Sequence, residues 1–355
     1  MTDYEFEIEF AYLKNLSTLT RHTYSYDGFY FRKNTFKHLP LIQIQFLELN
    51  RIFKIDNDTF SNLTNIQTLL ISMGSIYPQE TIISTFQSQD TFHDTNMTQL
   101  EIHANNSYTS FKLDGNMLQY AQRICLKSFT LSRMYITDTD AQAFRTFANY
   151  STCLESLEIS GNIIYDPNIE VFFAVCYFRN LRSFVYSDNN QRIGHIKYKT
   201  PYVKYDVNNI NINTIQRFGG LIALCIPKTL TTLFLRDSTT FLAFNGFSFL
   251  GGKNLQKLTF LLRLKGCSFQ IAGIENWKYL DMTGWYRNKI NGDLLSKLPL
   301  LETLITSDVH LGDGLKNNSE AAFLLQNNLN LTSIDFSYNL LVIYPNLCSC
   351  IDLQH

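Results

Sequence analysis

Apolar residues recur along this chain in one spacing: an apolar position, two residues, a second apolar position, one residue, a third, two residues and then, in the fullest copies, asparagine. Leu154, Leu157, Ile159 and Asn162 form such a copy, as do Met97, Leu100, Ile102 and Asn105; Leu181, Phe184, Tyr186 and Asn189; and Leu331, Ile334, Phe336 and Asn339. Ile66, Leu69 and Ile71 repeat it without the asparagine, as do Leu126, Phe129 and Leu131; Leu230, Leu233 and Leu235; Leu255, Leu258 and Phe260; and Trp277, Leu280 and Met282. Leu301 and Leu304 repeat its first half. The series opens at Ile42, Leu47 and Asn50, with Gln45 breaking one slot, and Tyr202, Tyr205 and Val207 make a weaker copy between Leu181 and Leu230. Steps between copies run from 21 to 31 residues. The alternation within a copy predicts a short strand with one face buried. So short a strand cannot bury its face alone, so the copies are expected to stack, with each asparagine amide bonding the backbone of the narrow core.

Outside the strands the repetition continues. Phe31 to Ile42 laid over Ile55 to Ile66 puts Phe36 on Phe60, Leu39 on Leu63 and Ile42 on Ile66, a shift of 24 residues. That length falls within the window of leucine-rich repeats. The recurring Phe fills the far half of each coil. The expected fold is α/β, a leucine-rich repeat solenoid (horseshoe) with a concave parallel β-sheet and an irregular, partly helical convex side. With the eleven clearer copies and the weaker one at Tyr202, residues 1–347 read as one array of about 12–13 irregular repeats. Leu47, Leu157, Leu233, Leu280 and Ile334 are expected to be buried.

From Phe31 to Ile71 the chain resembles extracellular leucine-rich repeat arrays, and FSNLTNIQTLLIS (Phe60 to Ser72) and NLNLTSIDFSYN (Asn328 to Asn339) resemble Toll-like receptor ectodomain repeats. ITDTDAQAF (Ile136 to Phe144) is instead similar to the longer, more helical repeats of ribonuclease-inhibitor-type and F-box proteins. Cys348 and Cys350 resemble the opening of a cysteine-rich C-terminal cap, so 348–355 reads as the start of a truncated cap. The Toll-like resemblance implies the ectodomain part of an innate immune receptor on the extracellular side of a plasma or endosomal membrane. Its partner would be a protein or microbial ligand, with homo- or heterodimerisation, and its membrane attachment would lie in a segment absent from this chain. The other resemblance implies a cytoplasmic adaptor that binds a protein partner. A chain lacking the rest of a cap is expected to self-associate through its last coil.

Composition narrows the classes. Hydrophobic residues are 45% and charged residues 17%, enough apolar surface for a core and too little charge for disorder. With 30 Lys and Arg against 31 Asp and Glu, no general nucleic-acid binding is expected. No apolar run is long enough to span a bilayer, and the acidic Met1 to Phe10 is unlike an export signal. Cys125, Cys153, Cys176, Cys225 and Cys267 are widely scattered in apolar surroundings and read as small buried hydrophobes. Glycan acceptor motifs occur at Asn15, Asn57, Asn62, Asn96, Asn105, Asn149, Asn317 and Asn330. Of these Asn57, Asn62, Asn149 and Asn317 are the candidate sites, Asn57 and Asn62 because they flank Phe60 on the outer turn; Asn105, in a ladder slot, is expected to stay unmodified.

No catalytic, cofactor or metal site is expected. The histidines are dispersed, without HExxH, CxxC or zinc-type spacing. Gly251-Gly252-Lys253 reads as a turn, Gly246 to Leu250 lacks the final glycine of a nucleophile elbow, and Asp138 and Asp140 read as turn residues bonding their own backbone. Function must then lie on the strand residues that alternate with the buried ones. The candidates are Phe46, Glu48, Glu101, His103, Phe234, Arg236, Asp237, Asp281, Asp308, Asp335 and Tyr338, a mixed and slightly acidic set suited to a protein partner.

Overall fold

The computed structural model describes residues 2–4, 16–21, 29–32, 35–36, 44–55, 59–60, 63–73, 95–104, 110–113, 124–133, 135–139, 141–164, 174–187, 190–191, 221–236, 246–251, 253–261, 268–271, 274–283, 295–307, 325 and 327–338. They divide into two compact units, Met1–Asn180 with Asn190–Ile193, and Leu181–Asn189 with Gly194–His355.

In the first unit the strands Thr2–Tyr4, Phe29–Phe31, Phe46–Ile55, Thr68–Met73, Gln99–Ala104, Ser128–Ser132 and Ser156–Ser160 follow one another across a sheet, and Thr18–Arg21 also pairs with Phe46–Ile55. In the second, Ser183–Ser187, Thr232–Arg236, Lys257–Leu261, Tyr279–Asp281, Thr303–Ile305 and Ser333–Asp335 do the same. The strands pair in parallel and, apart from shifts in the two pairings of Phe46–Ile55 with Phe29–Phe31 and Thr68–Met73, copy-to-copy in register, Leu100 beside Phe129 and Phe129 beside Leu157, Leu233 beside Leu258 and Leu258 beside Leu280. The apolar slots fill the core: Leu47, Leu157 and Leu233 are fully buried and Leu280 nearly so. Ile334 is only half-buried, because among the described residues its strand has a neighbour on one side alone.

Two backbone devices explain the coil. Before the strands Thr68–Met73 and Thr303–Ile305 the chain turns in steps of three residues, Leu63 N bonding Phe60 O and Ile66 N bonding Leu63 O, and likewise Leu298 to Leu295 and Leu301 to Leu298. Three-residue turns bring every third side chain to the same side, so Phe60, Leu63 and Ile66 all point inward. At the strand start, one carbonyl accepts two N–H groups from the next coil: Lys127 O from Glu155 N and Ser156 N, both 2.9 Å, and Gln256 O from Lys278 N and Tyr279 N at 2.8 and 3.1 Å. The same bond places the opening copy. Gln45 O takes up Gln67 N and Thr68 N, so Ile44, Leu47 and Leu49 are the buried set, and the expected start at Ile42 was two residues early. Asn50 accordingly lies beside Ser72 on the strand rather than in the ladder slot. Asn162 does fill that slot, buried, its Nδ2 donating to Leu131 O at 3.0 Å; Asn105, Asn189 and Asn339 lie outside the described residues.

Aromatic rings line the core beside the sheet: Phe31, Phe36 and Phe60 stack at 5.9 Å centroid steps, and Phe129, Phe147 and Phe178 meet edge to face at 5.9 and 5.6 Å. Phe147 belongs to the helix Ala141–Tyr150, the helical stretch foreseen after Ile136. More regular than expected, the backs of the coils also pair. Ser110–Leu113, Tyr135–Thr139, Ile163–Ile164 and Asn190–Gln191 form a second parallel sheet in the first unit, and Leu221–Ile226, Gly246–Gly251 and Ser268–Ile271 one in the second. Asp138 is therefore a strand residue, paired beside Lys112, where the alternation of Ile136 with polar neighbours wins over the turn tendency of aspartate. Asp140 lies outside the described residues, as does the weak copy Tyr202 to Val207; Ser183–Ser187 pairs directly with Thr232–Arg236, so that copy adds no strand between them.

Nor are all the scattered cysteines isolated thiols. Cys125 and Cys153 form a disulfide with their Cα atoms 5.2 Å apart. They precede Leu126 and Leu154, the same slot in successive coils, so their separation of 28 residues is one repeat step and brings them side by side. Elsewhere that slot holds asparagine, whose Nδ2 donates to the preceding coil: Asn180 to Thr152 O at 2.5 Å, Asn254 to Lys228 O at 2.7 Å and Asn330 to Pro299 O at 2.8 Å. Cys348 and Cys350 lie outside the described residues.

Three strands end in a left-handed corner at the seventh residue after the first apolar slot, where Arg133, Gly161 and Tyr338 have φ of 58°, 64° and 54°; at the same slot Met73 and Ala104 continue their strands. A Cβ on Gly161 would meet Arg133 Cγ at an ordinary 3.6 Å, so its substitution tests the corner's conformation alone. Gly161→Ala is expected to cost about 1–2 kcal/mol, read from denaturant unfolding. Leu157→Ala, in the sealed core, is expected to cost about 2–5 kcal/mol; a loss under about half a kcal/mol, the range of surface substitutions, would mean that Leu157 faces solvent.

Candidate functional site

Because the strands are in register, their outward side chains form rows at the second, fourth and sixth residues after the first apolar slot. In the first unit the fourth-residue row runs Glu48, Leu70, Glu101, Thr130, Glu158, and the sixth-residue row Asn50, Ser72, His103, Ser132, Ser160. Phe46 and Glu48 are half-buried on the strand Phe46–Ile55. Glu101 and His103, two apart on Gln99–Ala104, point the same way and touch: His103 Nε2 lies 3.1 Å from Glu101 Oε2. Gln99 Nε2 donates to Glu101 Oε1 at 2.5 Å, and His103 Nδ1 contacts Ser132 Oγ on the next strand. Ser160 Oγ donates to Glu158 Oε1 at 2.6 Å.

A carboxylate, an imidazole and a hydroxyl in a chain raise the question of nucleophilic chemistry. Ser132 is 7% exposed, and its strand is paired on both sides, which engages its backbone N–H groups in the sheet. An acyl-transfer site needs free N–H donors aimed at the developing oxyanion. The arrangement instead fixes the direction of the Glu101 carboxylate. Among the described residues no three His, Cys, Asp or Glu side chains gather as a metal site would require.

In the second unit Phe234 is half-buried beside Val185, and Arg236 ends the same strand. Asp281 accepts from Thr283 N at 3.0 Å and Thr283 Oγ1 at 2.8 Å, and Asp335 from Ser337 N at 2.8 Å. Tyr338 is 86% exposed on its left-handed corner. Asp237 and Asp308 lie outside the described residues, as do Asn57, Asn62 and Asn317; Asn149 is exposed near the end of the helix Ala141–Tyr150. The structure thus joins Glu101 to His103, and leaves Asp281 and Asp335 each closed on its own strand.

Several participants were not foreseen. Gln99, Thr130 and Ser132 sit in rows that the period-two rule generates once the register is known. So do Lys257 and Tyr279, in the second-residue row, where the ammonium stands 4.5 Å from the ring centroid. Burial, with Asp281 nearby, raises the Tyr279 phenol above its ordinary value. Lys278 and Glu302, on the rim, form an exposed ion pair at 2.8 Å.

No family profile matches the sequence, and no curated protein matches it. Solved structures do. An internalin from Listeria monocytogenes is 18% identical over 88% of this chain and 79% of its own, with a TM-score of 0.44. The TLR13–ssRNA13 complex is 16% identical over 99% of this chain and 52% of its own, with a TM-score of 0.46. Toll of Drosophila, in its complex with Spatzle, is 13% identical over 95% of this chain at a TM-score of 0.50, and this chain spans 41% of its length. At such identities the likeness is one of fold. Repeating apolar slots, parallel strands stacked in register and the likeness to Toll all say the same of the fold: this is a leucine-rich repeat protein.

Proposed function

We propose that the chain is a binding module working outside the reducing cytosol, as the ectodomain part of a Toll-like receptor, with the outward strand rows as its recognition face. The observation that carries the extracytosolic part is the Cys125–Cys153 disulfide. Structural disulfides persist in secreted and cell-surface proteins and are rare where glutathione keeps thiols reduced. Exposure of Asn149, within Asn149-Tyr150-Ser151, agrees with that compartment. Two sequence stretches, Phe60 to Ser72 and Asn328 to Asn339, support the Toll-like kind through their resemblance to its repeats.

The helix Ala141–Tyr150 favours the alternative, a cytoplasmic adaptor with longer helical repeats. Yet the bridge closes the very coil that carries this helix, which weighs toward the extracellular reading. Binding rather than catalysis suits rows built of Glu, Ser, Thr and isolated aromatics. Carboxylates on the first unit's face favour a protein ligand over a polyanion.

Secreted from a host cell behind an added export signal, the chain is expected to yield a Cys125–Cys153 linked peptide in non-reducing digests and sugar on Asn149. Replacing both cysteines by serine should lower stability by about 3–4 kcal/mol, the loop-closure value for a crosslink of this span. Two reduced thiols in folded secreted material, with stability unchanged by reductant, would sink the proposal.

A further inference from the structure

Glu101, Thr130 and Glu158 stand at one height on three successive strands, Glu101 in register with Thr130 and Thr130 with Glu158. At about 4.8 Å per strand the two glutamate stems are roughly 10 Å apart, with the shorter threonine forming a floor between them. Both carboxylates are half-buried, and both are held in place from their own strands: Glu101 by Gln99 and His103, Glu158 by Ser160. The second oxygen of Glu158 makes no hydrogen bond among the described residues. Neither does the hydroxyl of Thr130, although that side chain is only 9% exposed. No lysine or arginine occupies the three outward rows of the five strands from Phe46–Ile55 to Ser156–Ser160. Two oriented carboxylates thus flank a hydroxyl with no protein partner among the described residues, and the rows set no lysine or arginine beside them, His103 touching Glu101 alone of the two.

We infer that the seat between the two carboxylates takes an arginine side chain of a polypeptide partner, its N–H donors shared between Glu101 and Glu158 above the Thr130 hydroxyl. A guanidinium carries five donors in a planar fork that opens on two edges, whereas the three donors of an ammonium diverge from a single nitrogen and suit a narrower gap. Calcium would need about six to eight oxygens at close range, more than three residues provide. The inference rests on the strand face being the recognition surface, and names the chemistry of what it recognises.

The full chain, titrated with fluorescein-labelled hexaarginine and followed by anisotropy, tests it, with labelled hexaglutamate and calcium chloride as separate probes. Saturable binding of hexaarginine alone is expected, weakened about ten-fold by Glu101→Gln and by Glu158→Gln, as suits loss of one charge-assisted bond. Glu302→Gln, on the rim of the second unit, should leave it unchanged. Thr130→Phe keeps every charge and fills the seat, so it should abolish binding; Thr130→Met serves if the larger ring prevents folding, judged by circular dichroism melts. Binding indifferent to the glutamate or Thr130 variants would mean diffuse attraction and overturn the seat. Displacement of hexaarginine by stoichiometric calcium would overturn it in favour of a metal site. A protein ligand that cross-links to the strand rows yet binds both glutamate variants undiminished would sink the seat and leave the proposed function standing. A ligand that cross-links elsewhere would do the reverse, with the hexaarginine titration still deciding the seat.

Discussion

One carbonyl per coil, accepting two N–H groups from the coil that follows, sets the geometry on which everything else in each unit depends. It fixes the first residue of every strand against the first residue of the last, so slippage of a single residue would break two bonds at once. Without that lock the buried rows of Leu and Phe would lose their alignment, since apolar contact alone is indifferent to small sliding. Side chains that do the holding elsewhere, the asparagine amides in the slot before the strand and Asn162 after it, act on coils already placed by the backbone. The rows on the outer face are a by-product of the same lock.

The buried slots were legible because their residue types are forced. A position walled in by neighbouring coils on both sides accepts only an apolar side chain, so Leu157, Leu233 and Leu280 could be named from spacing. Where two isoleucines lie two apart, as Ile42 and Ile44 do, hydrophobicity cannot choose between them, and only the carbonyl of Gln45 decides. The disulfide escaped for a related reason. Cys125 and Cys153 look remote when distance is counted along the chain, and adjacent when it is counted in repeat steps. On the face, Glu101 and His103 could be picked out as outward residues, but their joining to Ser132 and the setting of Thr130 between Glu101 and Glu158 depend on which strand lies beside which.

Among the described residues, left-handed backbone falls at three strand-end corners. Arg133 and Tyr338 adopt a left-handed conformation that glycine takes freely at Gly161, and they do so at the same slot. Where the coil turns at that slot, the cost falls on whichever side chain is present. That a large exposed tyrosine stands at one such corner places an aromatic ring beyond the rim of the second unit's rows, where no packing accounts for it.

The bridge between Cys125 and Cys153 has a mechanical consequence. Under tension a stack of coils peels apart one hydrogen-bonded strand at a time, each released coil lengthening the chain. Here one loop of 28 residues is closed covalently, so pulling on the chain leaves roughly 95 Å of contour unspent. Force reaching this point passes through a covalent bond rather than a ladder of weak ones, and the coil containing the helix Ala141–Tyr150 is shielded from the load its neighbours bear.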